Sequence, residues 1–263
     1  MYLLTKNINM PYLVENSLII EWIKSNSQIV RLLTENWVQN TIFCPICWNF
    51  LLHHRNNAKV RDFYCRKCWE NFELKSFKSK KIKDYILGSE YNTLIKQIIS
   101  KPVHLFLLSY IEDYTITNFL FIPKYFFTPQ IISPRKPLSS NAKRSGWKGS
   151  IIHLNKIPES GKIYFIKDRF YKTKTEILQE VQKVKFLQQE TLDKKWWIFD
   201  IMLCIERIGR KRFYLKDMYQ FEEFLKNKYP HNNNIKAKIR QQLQFLRNKW
   251  YLKFLWNWWY EVL

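Results

Sequence analysis

Four cysteines form two short pairs, Cys44-Pro45-Ile46-Cys47 and Cys65-Arg66-Lys67-Cys68, separated by 17 residues. Thiolates at this spacing can close a tetrahedral zinc site, which is structural when protein fills all four positions. A redox role would need only one pair. His53 and His54 lie between the pairs. They read as loop residues that would become ligands only if a cysteine were missing. The fifth cysteine, Cys204, lies in the apolar segment 198–208 and is expected in the core.

A second group of reactive side chains overlaps the first: Asp62, Glu73 and Lys75. Segments 61–65 and 71–76 read as the strands of a hairpin, with the second cysteine pair in its turn. Residues two apart on a strand share a face, so Glu73 and Lys75 project together while Leu74 is expected to enter the core. Asp62, on the partner strand, can reach the same patch. Two carboxylates can bind Mg²⁺, which keeps waters and substrate phosphate as its other ligands. The metal would acidify a water and neutralise phosphate charge, and Lys75 could orient that water or stabilise developing negative charge. On its own this spacing equally describes a solvated strand face. Glu35, on a preceding helix, either adds a third acidic group or is a surface carboxylate.

The elements that must position these groups are partly legible. Residues 14–40 carry helical periodicity, broken near Lys24-Ser25-Asn26-Ser27, where serine or asparagine can cap a second helix. Residues 85–100 read as a helix, and 103–111 and 116–126 as apolar strands. A polar loop over 128–150 precedes a short strand at 163–167 and an amphipathic helix at 173–190. Helices mixed with strands indicate an α/β or α+β domain. Residues 191–195 read as a linker. Beyond it come helical stretches at about 198–207, 216–228 and 234–248, then strand-like pieces at 250–255 and 258–263. Three helices and a terminal hairpin outline a winged helix, a variant of helix-turn-helix. In the last helix Ile235, Ile239, Leu243 and Leu246 form one apolar stripe, leaving Lys236, Arg240, Gln241, Gln244 and Arg247 to face a partner.

Forty-four Lys and Arg against 22 Asp and Glu give the 263-residue chain a formal charge of +22, with basic excess in both halves. Such a balance suits a polyanion, through phosphate contacts and counterion release. An AT-rich genome would also inflate lysine. Apolar residues make up 46% of the chain, enough to bury a sizeable core. No apolar run approaches the roughly 18–20 residues of a membrane span, and the first 24 residues lack a signal-peptide pattern. The expected location is cytoplasmic, with no membrane partner and no small-molecule substrate.

The run from Asp62 to Ser76 resembles the catalytic hairpin of the DpnI-like methyl-directed restriction endonucleases. Lys24–Gln28, Leu33–Val38, Arg135-Lys136-Pro137-Leu138, Lys143-Arg144-Ser145-Gly146-Trp147 and Asn234–Arg247 resemble further segments of that family, in the same order. The resemblance implies an α/β fold: a PD-(D/E)xK nuclease domain with an inserted four-cysteine zinc site over residues 1–192, then a winged-helix domain over 193–263. It implies Mg²⁺-dependent cleavage of double-stranded DNA at G-m6A-T-C, as a defence against methylated foreign DNA. Asp62, Glu73 and Lys75 match the catalytic positions, with Asp62 and Glu73 as the Mg²⁺ ligands. Cys44, Cys47, Cys65 and Cys68 match the zinc ligands. Trp147 becomes a methyl-adenine contact in a loop carrying Arg135, Lys136, Lys143 and Arg144. Arg61 stands where the wider superfamily usually has proline, which is tolerable because the carboxylate does the chemistry. The alternative is a non-cleaving regulator built from a zinc ribbon and a winged helix, which would not need the triad. An RNA-processing nuclease would share the chemistry but not the loop.

Tryptophan and glycine are out of proportion, at 11 and 5; glycine ordinarily makes up about 7% of a protein. Trp48, Trp69, Trp196, Trp250, Trp256 and Trp258 stand where glycine, or another small or polar residue, is expected. Two explanations are open. Either these residues are genuine stacking or packing groups, or they are UGA codons translated as Trp where the source reads Gly.

Overall fold

The computed structural model of the protein describes residues 25–54 and 61–263. The part of the expected N-terminal helical region before Ser25 lies outside them. In chain order the elements are α1 (Asn26–Thr41), β1 (Leu51–His53), β2 (Phe63–Cys65), β3 (Asn71–Lys78), β4 (Tyr85–Glu90), α2 (Tyr91–Ser100), β5 (His104–Tyr110) and β6 (Ile116–Ile122). Then come β7 (Ile132–Pro134), β8 (Gly149–His153), β9 (Ile163–Lys167), β10 (Phe170–Tyr171), α3 (Lys174–Val184) and α4 (Leu192–Ile208). The chain ends with β11 (Arg212–Tyr214), α5 (Leu215–Tyr219), α6 (Glu222–Lys228), α7 (Ile235–Asn248), β12 (Leu252–Phe254) and β13 (Trp259–Val262). These elements gather into two compact units, each built from more than one stretch of chain.

The first unit holds a seven-stranded sheet in the order β1-β2-β3-β5-β6-β9-β10. All neighbours are antiparallel except β3 and β5, which run parallel from Phe72↔His104 to Lys78↔Tyr110. Every residue of β5 and β6 is buried, which is why both read as continuous apolar runs and not as alternation. Three of their buried polar groups bond to one another: Ser109 Oγ lies 2.7 Å from Thr117 Oγ1, and Asn118 Nδ2 donates to Ser109 Oγ at 3.0 Å. The expected strand 116–126 stops at Ile122 because Pro123 has no N–H for the ladder and a 3₁₀ turn follows. On β3 the fully buried side chain is Phe72, stacked on Phe106 with centroids 4.9 Å apart; Leu74, expected in the core, is only half-buried.

The second unit contains a three-stranded sheet, β4-β8-β7, and the C-terminal module. The helix expected over 85–100 is a strand in its first six residues, which pair antiparallel with β8. Gly88 weakens a helix there, and strand pairing overrides the remaining periodicity. The helix begins only at Tyr91. The expected loop at 128–150 likewise contains β7 and a 3₁₀ turn.

The expected linker at 191–195 is largely helix, because α4 already starts at Leu192. The expected helix 216–228 is two, α5 and α6, separated at Gln220 and Phe221. An additional strand, β11, joins the terminal hairpin in the sheet β11-β13-β12. The core of this module is the stripe Ile235, Ile239, Leu243 and Leu246 of α7 with Ile198, Ile201, Met202, Ile205 and Cys204 of α4, all buried. Cys204 is a core residue, as expected, and burial pushes its thiol up to about 12. The result is a helical helix-turn-helix module with a small sheet, following a mixed α/β unit.

Candidate active site and metal centre

The cysteine pairs occupy two equivalent turns. The first links α1 to β1 and the second links β2 to β3, and within each the first cysteine N–H returns to a carbonyl five residues on: Cys44 N to Asn49 O at 2.8 Å, Cys65 N to Glu70 O at 3.0 Å. The four Sγ atoms lie within 4.8 Å of one another, with Cys44–Cys68 at 3.6 Å and Cys47–Cys65 at 3.3 Å. Sulfur atoms about 2.3 Å from one tetrahedral zinc would be roughly 3.8 Å apart, so the cluster has the dimensions of a tetrathiolate zinc site. Burial raises Cys44 and Cys68, the latter to about 12. Cys65 is lowered overall: burial opposes this, but the Cys68 backbone N–H, the Cys47 thiol and the Lys67 backbone N–H prevail. A soft, enclosed four-thiol set suits zinc, which holds its ligands as thiolates.

The second turn joins the strands that carry the acidic groups. The β2–β3 register, Phe63↔Phe72 and Tyr64↔Asn71, continues to place Asp62 opposite Glu73. Asp62 N–H donates to Phe72 O at 2.9 Å, and its own carbonyl accepts from His54 N–H at 2.8 Å. The Leu74 N–H that would extend the ladder is taken instead by Asp62 Oδ2 at 2.6 Å. That bond fixes the carboxylate while leaving Oδ1 free of it. Lys75 Nζ is 2.7 Å from Glu73 Oε1, both side chains being largely buried. Asp62 has its carboxyl pushed above the usual range, first by burial and then by the Glu35 and Glu73 charges, against the Leu74 N–H and Arg31.

Glu35 is not a surface carboxylate: it is 7% exposed. Arg31 Nε donates to it at 2.6 Å, and His53 Nε2 lies 2.8 Å from its other oxygen. His53 belongs to β1 and not to a loop, because it pairs with Phe63. His54 follows directly, its Nε2 2.8 Å from Asn71 Oδ1. Neither histidine belongs to the sulfur cluster. Sequence reasoning does not single out Arg31 or His53 as site residues. Only the four-residue spacing of Arg31 and Glu35 hints at a pair on one helix face. The fold thus brings Asp62, Glu73 and Lys75 together and adds Glu35, whose charge reaches Asp62.

The other expected contact residues are in the second unit. Arg135, Lys136, Lys143 and Arg144 are exposed or half-exposed between β7 and β8, and Trp147 is half-buried in the same loop. A Cβ at Gly149 would lie 2.9 Å from the Trp147 ring, so that ring rests against bare backbone. On α7, Lys236, Arg240, Gln241 and Gln244 are exposed. Three of them have internal partners: Lys236 pairs with Glu222 at 3.2 Å, Arg240 donates to the Tyr219 hydroxyl at 2.9 Å, and Gln241 accepts from Lys238 at 2.8 Å. Exposed pairs of this kind are weak enough to exchange for phosphate.

Two family descriptions match. The DpnI, Dam-replacing family matches residues 10–190. The chain belongs to the DpnI family. The Dam-replacing HTH domain of DpnI matches residues 193–261, over the helical module that ends in β13. A DpnI-family chain with this module is a methylation-dependent, restriction-type DNA-binding protein. Among the described residues no helix is long and apolar enough to cross a membrane.

Proposed function

We propose that this DpnI-family protein is an endonuclease that hydrolyses double-stranded DNA at adenine-methylated sites, G-m6A-T-C being the expected sequence. The observation that carries the reading is the hairpin: Asp62 opposite Glu73, Lys75 on the same face, and the Asp62 carboxylate held by the Leu74 N–H. In this reading the three side chains form a PD-(D/E)xK centre, for which a DNA-binding regulator has no use. The oxygen-only donors suit Mg²⁺, and like charges crowded around Asp62 are what a divalent cation relieves. Bound there, Mg²⁺ would make a water more acidic and neutralise charge on the scissile phosphate. Asp62 and Glu73 are its ligands in this reading. Lys75 donates a hydrogen bond to the attacking water or to a phosphate oxygen as charge develops. Glu35, held by Arg31 and His53, adds its charge to the acidic side of the site.

Zinc held by the four cysteines is structural in this reading. The helix-turn-helix module over 193–263 and the 135–147 loop deliver methylated DNA, with Lys236, Arg240, Gln241 and Gln244 facing the duplex and Trp147 contacting the methylated base. Such an enzyme works in the cytoplasm against incoming methylated DNA. Plasmid from an adenine-methylating host and from a methylation-deficient host should be incubated with the protein, with and without Mg²⁺. Cutting of the methylated plasmid alone, and only with Mg²⁺, is expected. Equal cutting of both would remove the methyl-directed substrate, and tight binding without cutting would favour a regulator.

A further inference from the structure

Among the described residues, eight that are not glycine have φ between 49° and 73°, and four of them are tryptophan: Trp48 at 68°, Trp69 at 60°, Trp250 at 60° and Trp258 at 65°. Only Gly146 and Gly209 have positive φ among the described glycines. In this region the Cβ of an L-residue crowds its own backbone, and bulky residues there are outliers.

Each of the four sites is one whose backbone geometry asks for glycine. In the two cysteine turns Trp48 N–H returns to Cys44 O at 2.9 Å and Trp69 N–H to Cys65 O at 2.8 Å. Two segments far apart in sequence thus share one shape, and both reverse at a left-handed residue. After α7, Trp250 N–H bonds Arg247 O at 3.0 Å and Tyr251 N–H bonds Leu246 O at 3.0 Å. With Lys249 as C-cap, this is a Schellman motif with tryptophan in the position that glycine usually fills. The same chain ends α4 with Gly209 at φ 68°. Between β12 and β13, Asn257 at 56° and Trp258 at 65° are consecutive left-handed residues. Trp259 N–H returns to Trp256 O at 3.4 Å across them. That is a type I′ turn, for which Asn-Gly is the favoured pair.

Nor does packing account for these side chains. Trp69, Trp250 and Trp258 are 74%, 80% and 51% exposed. Trp48 does meet Phe43 and Lys174, but its ring contact places no demand on φ. By contrast Trp37 packs edge-on to Phe119, and Trp197 stacks on Tyr229 with centroids 3.8 Å apart; neither has positive φ.

We infer that Trp48, Trp69, Trp250 and Trp258 are encoded by UGA, and that the source cell reads this codon as glycine. The protein made there carries glycine at all four positions. Trp196 and Trp256, which also stand where glycine or a small residue is expected, have no positive φ and are not part of the inference. The exposed tryptophans at 250 and 258 are then no docking face for a partner.

Two measurements test this. The gene should show UGA at the four codons and UGG at Trp37 and Trp197, and peptides of the protein from its own cells should have the masses of glycine at the four positions. UGG codons there, or tryptophan masses, would overturn the inference. Separately, W69G, W250G and W258G introduced into the tryptophan-containing chain should each raise Tm by roughly 2–4 °C, through relief of a left-handed Cβ. Unchanged or lowered Tm in all three would contradict it. Neither measurement depends on the proposed nuclease activity.

Discussion

At the scale of single residues, the proposed centre depends on a carboxylate that replaces a ladder carbonyl. Asp62 Oδ2 accepts the Leu74 N–H, so one side chain both ends the β2–β3 ladder and aims its second oxygen. Asp62→Asn keeps that bond but removes the charge, and Lys75→Ala removes the cation beside Glu73. Each should lower the cleavage rate by about 10²–10³-fold or more while binding of methylated duplex stays within a few-fold of the parent. Cleavage by both variants near the parent rate would take these residues out of the mechanism. Gly149 offers a second test. A methyl group there meets the Trp147 ring at 2.9 Å, with Arg135 Cδ at 3.3 Å. Gly149→Ala should therefore displace Trp147 and reduce the preference for methylated over unmethylated duplex, while leaving the hairpin untouched. An unaltered preference would mean that the ring position does not matter for recognition.

At the scale of elements, the turn of the hairpin is held in two ways. Cys65 and Cys68, two of the four cysteines proposed to hold zinc, sit in that turn, and a one-residue slip between β2 and β3 would send Glu73 and Lys75 to the opposite face. Mild chelation should give inactivation that Mg²⁺ alone reverses. Stripping the zinc, or Cys65→Ser, should give inactivation that Mg²⁺ cannot reverse, with a lower Tm, since structural zinc contributes folding free energy. A fully active zinc-free preparation would refute the idea.

The second hold on the same turn is Glu70, just past the cysteines. Lys124 Nζ binds both of its carboxylate oxygens, at 2.9 and 2.7 Å. His104 Nδ1 accepts the Lys124 N–H at 3.0 Å, so its proton sits on Nε2, 3.3 Å from Glu70 Oε2. Burial lowers His104, against the raising effect of Glu70. Although burial opposes it, His104 and Lys124 bring Glu70 down to about 2. A carboxylate lowered by folding stabilises the protein above its ordinary range and loses that contribution as pH falls toward about 2. The contribution at neutral pH is on the order of 2 kcal/mol. Glu70→Gln should cost about that at pH 7, and the gap to the parent should close as pH falls from about 4.5, the ordinary glutamate value, toward 2. Parallel stability curves across that range in denaturant titrations would contradict the assignment.

At the scale of the whole molecule, a formal charge of +22 makes salt the main control on binding. Removing one phosphate contact should reduce the slope of log K against log salt by about 0.9. Lys236→Gln and Arg240→Gln, exposed on α7, should weaken methylated and unmethylated duplexes alike and flatten the slope by about that amount each. A defect confined to methylated DNA would assign them to base reading instead of the backbone.

The candidate site was legible along the chain because its patterns are local. Two Cys-x-x-Cys pairs, an alternating Glu73-Leu74-Lys75 and an apolar stripe on α7 need only strand and helix periods to be read. Strand 163–167 and the last helix were equally plain, being short-range patterns with clear ends. Long-range pairing was not legible. Residues 85–90 carry a helical pattern but become a strand because β8, some sixty residues on, supplies its partner. The parallel pairing of β3 with β5 left no trace in either segment. Glu35 could not be classed as buried or exposed until α1 was set near β1, where Arg31 and His53 hold its carboxylate. The sequence raised the question of the tryptophans from composition and from where six of them stand. Only backbone dihedrals, imposed by the turns and a helix end, separated the four that stand in glycine's place from those that pack.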